Sequence, residues 1–111
     1  MANATTYVSP DGWLKFTIFR DRHGDMALGF EGFAWHMHAD MLVGTYGPSE
    51  DVAVQQFVGA LLNNKLLIAV VRDGGAAQDV FISRDPQKDL RYKPADESIE
   101  FRYWDGSIWP A

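Results

Sequence analysis

The sequence predicts an α+β fold: one strongly curved antiparallel sheet of about five to six strands packed on one main helix, in the order β-β-α-β-β-β-β. Three observations carry this reading. Only the segment from Val54 to Leu62 repeats apolar residues at helical spacing. Several short stretches are rich in aromatic and β-branched residues. Short turns rich in Gly and Asp separate them, and such links suit antiparallel pairing, since parallel strands need long crossovers.

Trp13 to Arg20, after the turn signal Pro10-Asp11-Gly12, predicts a first strand, and Asp21 to Asp25 predicts the loop of a hairpin. The return strand begins near Met26 and runs, with interruptions at Gly29 and Gly32, toward His38. A bulge at either glycine would carry the later side chains to the opposite face. Ala39 to Gly47 fits either a short helix or a loop. Ser49 then caps a helix, with Glu50 and Asp51 complementing its positive end, and Asn63-Asn64 stops it after Val54, Phe57, Val58, Leu61 and Leu62 have lined one side.

Leu66 to Val71 is apolar throughout and predicts a central strand covered on both faces. Asp73-Gly74-Gly75 turns it into a partner strand from Asp79 to Ser83. The charged stretch from Arg84 to Pro94, with Pro86 and Pro94, reads mostly as loop with a short extended piece at Leu90 to Tyr92. Ile99, Phe101 and Tyr103 alternate with Glu100 and Arg102 as in a half-buried strand, and Asp105-Gly106 turns the chain into a short last strand, Ser107 to Trp109.

The 111 residues match one domain spanning 1–111, and the 47% hydrophobic content supplies a core. Formal charge is −5, and the ten basic residues are scattered, which disfavours nucleic acid and anionic membrane and steers a basic protein toward the surface. The absence of cysteine removes disulfides, thiolate metal sites and thiol nucleophiles, and it fits a reducing compartment. No secretory signal is visible at Met1 to Thr6, and the longest apolar run, Leu66 to Val71, is far too short for a membrane span. A soluble, cytoplasmic protein is expected.

The densest chemistry lies in His36-Met37-His38-Ala39-Asp40. In an extended strand His36, His38 and Asp40 share one face, and Phe33, Trp35 and Met37 the other. Two imidazoles and a carboxylate can hold a divalent metal such as zinc, titrate near neutral pH, contact a partner, or simply face water. The stretch His36 to Asp51 also resembles the His-x-His, Ser, Asp signature of JAMM-type zinc isopeptidases, which implies ligand roles for His36 and His38 and places Ser49 and Asp51 beside the later Ser and Asp. Ala39 stands where that family has proline, Ser49 lies farther from His38, and Ser49 and Asp51 are closer together, so the chain is not assigned to it.

Other catalytic sets are thin. No serine sits in a Gly-x-Ser-x-Gly turn, the glycine pairs lack the context of a phosphate loop, and the pairs Glu97 with Glu100 and Asp79 with Asp85 read as solvated charge. In the C-terminal segment Tyr103, Trp104 and Trp109 flank a tight turn, where the rings either staple the hairpin or contact a partner.

One helix shields one face of a sheet, yet Leu66 to Val71 is apolar on both. Either the sheet curls closed or its second face meets another molecule. The expected function is therefore a non-catalytic protein-binding module, nearest in type to a small acidic bacterial immunity or inhibitor protein. It would need no cofactor and would contact a protein partner, or a second copy of itself, through Trp104, Trp109, Tyr103, His36, His38 and Asp40. Two alternatives stay open: a small metal-dependent hydrolase built on His36, His38 and Asp40, and a small-molecule binding module with Trp35 and Phe57 as pocket walls.

Overall fold

The computed structural model describes residues 3–110; Met1, Ala2 and Ala111, the ends of the expected domain, lie outside the described residues. The chain forms β1 (Asn3–Val8), β2 (Lys15–Arg20), β3 (Met26–Phe30), β4 (His36–His38), a 3-10 turn (Ala39–Leu42), α1 (Glu50–Leu62), β5 (Leu67–Asp73), β6 (Ala76–Ser83), α2 (Pro86–Tyr92), β7 (Glu97–Arg102) and β8 (Ile108–Trp109). The α+β class stands, but the strands divide into two antiparallel sheets of four, β1-β2-β3-β4 and β6-β5-β7-β8, with two helices. This corrects the expected single sheet on one helix. After β4 the 3-10 turn and α1 carry the chain away from the first sheet, and β5 pairs only with strands that follow it.

In the first sheet alternation places Phe16, Leu28, Phe30 and Met37 on the inner face, buried, with Thr17, Phe19, Ala27, Gly29, His36 and His38 on the outer one. Gly29 makes no bulge, because the β2–β3 register runs unbroken from Phe16 opposite Phe30 to Arg20 opposite Met26. Its missing side chain serves a close approach instead: a Cβ there would lie 2.8 Å from the Trp35 carbonyl oxygen. β1 carries no apolar period and is recruited by pairing. A turn joins it to β2, in which Ser9 N donates to Leu14 O at 2.8 Å and Leu14 N to Ser9 Oγ at 2.9 Å, while Gly12 takes the left-handed φ of +76°.

α1 forms where expected. Ser49 Oγ accepts from Val52 N at 3.3 Å, and Ala53, Val54, Phe57, Val58 and Leu61 are buried. These residues meet the inner face of the first sheet, the buried Ala39 and Leu42 of the 3-10 turn, and Ile68, Val70 and Val80 of the second sheet in one core. β5 is central and buried on both faces, as its composition predicts. Its second face, with Ala69 and Val71, is covered in part within the chain: Phe101 packs beside it, Trp109 stacks edge-on against Phe101 at 5.5 Å, and α2 lies across a shallow groove from Val71, Phe81 and Ile99.

α2 replaces the expected loop. Asp85 Oδ1 accepts from Lys88 N at 3.1 Å and Pro86 opens the first turn, while Asp89 Oδ2 accepts from the Ser83 hydroxyl at 2.5 Å and ties the helix to β6.

A polar clasp joins the two sheets across the sequence. Arg102, 7% exposed, donates from Nη1 to Asp11 Oδ2 at 2.8 Å, from Nε to Tyr103 O at 3.1 Å and from Nη2 to Trp104 O at 3.1 Å. Asp11 Oδ1 also accepts from the Ser9 hydroxyl at 2.5 Å. Arg102 and Arg72 flank the Trp13 ring at 5.7 and 5.5 Å, and Glu100 holds Arg72 at 2.9 Å. The Arg102 and Ser9 hydrogen bonds hold the Asp11 carboxyl well below the usual carboxylate range, outweighing a smaller opposing effect of burial.

Because folding lowers this pKa, the Asp11 contribution is complete above the unfolded value of about 3.9 and is lost as pH falls below it. The midpoint of thermal unfolding should therefore drop from about pH 5 to pH 2, and Asp11→Asn should flatten that slope. Leu61→Ala should cost about 2–5 kcal/mol in urea unfolding, with the slope of the transition unchanged.

Candidate functional site

The inner faces of both sheets are spent on the core, and α2 takes part of the far face. The outer face of the first sheet is left open. Its cross-strand rows run Ala4, Phe19, Ala27, His38 and Thr6, Thr17, Gly29, His36. Small residues at Ala4, Ala27 and Gly29 lower the floor, and Phe19, Phe33 and Trp35 supply apolar walls, leaving a groove of about 520 Å³. Phe19 is 44% exposed although its neighbours Lys15 and Thr17 on that face are polar. The sequence reading missed this groove. The signal was Phe19 standing in phase with Lys15 and Thr17, out of phase with Phe16.

His36 and His38 stand on the edge strand β4 with their rings edge to face, 5.2 Å apart at 82°. His36 Nδ1 lies 3.1 Å from Ala34 O, and an N–H there leaves Nε2 free to contact a ligand. Asp40 leaves the face that His36 and His38 share, because the backbone leaves the extended conformation at Ala39 and the two-residue period ends with His38. Asp40 instead joins Asp21, Asp25 and Glu50 around His38 in an acidic hollow of about 400 Å³. Among the described residues no three His, Asp or Glu side chains gather as a metal-holding set. Ser49, the serine of the isopeptidase resemblance, is engaged as the cap of α1.

The C-terminal aromatics separate. Trp104 is 4% exposed and belongs to the main core, whereas Trp109 is half-buried against Phe101 on the other side of β7, so the two rings do not stack on each other. Tyr103 is half-buried, and its N–H closes the hairpin on Ser107 O at 2.8 Å. Asp105 Oδ1 accepts from the Ser107 hydroxyl at 2.6 Å and from Ser107 N at 2.9 Å, which lowers the Asp105 pKa. The six residues expected to meet a partner thus occupy five different environments, and only His36 and His38 lie on the open face. No protein-family model, curated protein or solved structure matches this chain.

Since both imidazoles are exposed and unburdened by packing, the double substitution His36→Ala, His38→Ala should change unfolding free energy by no more than about 0.5 kcal/mol. Dialysis against a chelator should leave the thermal unfolding curve of the unsubstituted chain where it was.

Proposed function

We propose that this protein is a non-catalytic protein-binding module of the small acidic immunity or inhibitor type, and that it seats a basic partner protein on the outer face of its first sheet. The observation that carries the reading is the apolar groove of about 520 Å³ on a face that packs against nothing among the described residues, with Phe19 44% exposed beside it. Around it the charge is mainly acidic: Glu31 lines one end, and beyond Ala27 and His38 lies the hollow of Asp21, Asp25, Asp40 and Glu50. An apolar centre with a charged margin is the ordinary anatomy of a transient interface.

Charge also selects the partner's class. A net charge of −5 repels phosphate backbones and a second copy of the chain alike, so a basic protein is favoured over nucleic acid and over self-association. No helix among the described residues is long and apolar enough to cross a membrane. The absence of cysteine supports placing the protein in the cytoplasm.

Affinity capture from native lysate at low salt should retrieve a basic protein in stoichiometric amount. Phe19→Asp should weaken that complex by about tenfold or more, while Tyr92→Asp, on the exposed α2, should leave it intact. Raising the salt should slow association, as expected where charge steers the encounter. Capture of no protein, or capture insensitive to Phe19→Asp, would overturn the reading.

A further inference from the structure

A second concavity lies at the seam between the sheets, where β4, the 3-10 turn and its following loop, α1, the start of β5 and the end of β6 come together. It measures about 630 Å³, within the range of small-molecule sites, which is roughly 300–1,000 Å³. Three aromatic residues line it: Trp35, Tyr46 and Phe57. Phe57 is 2% exposed and forms part of the core behind the cleft, and Tyr46 stands edge to face against it at 5.2 Å, so this wall is braced from within.

Its charge is opposite to that of the molecule. Lys65, Arg84 and His36 line the cleft, and no Asp or Glu does, although acidic residues outnumber basic ones fifteen to ten in the chain. The ion pairs formed among the described residues employ Arg20, Arg72 and Arg102, so Lys65 and Arg84 carry charge that no carboxylate there offsets. Two cations with stems along an apolar, aromatic-walled cleft supply charge-assisted donors for an anionic group, and the rings supply stacking area for a flat apolar body.

We infer that this cleft binds a small aromatic carboxylate, its ring against Trp35 and Tyr46, with Phe57 bracing Tyr46 from behind, and its carboxylate toward Lys65 and Arg84. The inference does not rest on the docking surface proposed above, although Trp35 and His36 line both hollows. It rests on a different cavity, and Phe19 lines only the outer groove.

Calorimetric titration of the full chain with cinnamate, and with the neutral isostere cinnamamide, tests it at low ionic strength. Cinnamate should bind about tenfold more tightly than cinnamamide, the advantage of one or two charge-assisted hydrogen bonds. Lys65→Gln with Arg84→Gln should abolish that difference while leaving cinnamamide binding and thermal unfolding unchanged. Each single substitution should remove part of it, and Phe19→Asp should affect neither ligand. Absence of cinnamate binding, equal binding of the two compounds, indifference to loss of Lys65 and Arg84, or sensitivity to Phe19→Asp would overturn the inference.

Discussion

The two sheets share no strand pair, so nothing in the backbone ladder holds one to the other. Their union depends on side chains: the common core in which Phe16, Leu28 and Phe30 of the first sheet meet Phe57 and Leu61 of α1 and Ile68, Val70 and Val80 of the second, and the clasp from Asp11 to Arg102. The core supplies the driving force, since burying apolar area is the dominant favourable term and is indifferent to direction. The clasp supplies direction. Arg102 is 7% exposed and its guanidinium has five donors to satisfy, and Asp11, Tyr103 O and Trp104 O together fix where the β1–β2 turn sits against the end of β7. Because the Asp11 side chain is 39% exposed, the pair is screened on one side, and its energetic worth lies below that of a fully buried pair.

That mode of union also decides which surfaces remain free. Two sheets facing one core present two outer faces. In the second sheet α2 and Trp109 cover part of the outer face beside β5. Among the described residues the first sheet has no such cover. Its outer face and the seam between the sheets are therefore what the fold leaves over, and the hollows of about 520 and 630 Å³ fall there.

Local pattern and tertiary choice separate cleanly in this chain. α1 was legible because its cap and its apolar period both lie within a few residues of one another, from Ser49 to Leu61. β5 was legible because six consecutive apolar residues leave a short segment little alternative to a central strand. Which strands share a sheet was not legible, since each strand's alternation states that it has a buried face but not which neighbour it pairs with. β1 is exposed apart from the half-buried Tyr7 and has no apolar period, and its pairing with β2 decides its conformation. α2 escaped notice because its residues are charged and none is buried; an Asp85 cap and a bond from Ser83 to Asp89 hold it. Trp104 and Trp109 look alike in sequence, yet five residues and a tight turn send one into the core and the other to the opposite side of the sheet. For His36, His38 and Asp40, the grouping depended on the backbone staying extended one residue past His38, and the buried Ala39 starts the 3-10 turn there.

The two leftover hollows differ in charge, and this has a physical consequence. The outer groove lies between Glu31 and an acidic cluster, whereas the seam cleft gathers Lys65, Arg84 and His36 without a carboxylate. Within roughly one Debye length, about 8 Å at physiological salt, each site is governed by its own charges and not by the molecule's net −5. The long-range field of the acidic surface draws a basic macromolecule and repels a polyanion. A small monoanion, repelled only weakly by that screened field, still finds donors once it enters the seam. Trp35 and His36 line both hollows, so occupation of the seam bears on the same edge of β4 that borders the outer groove.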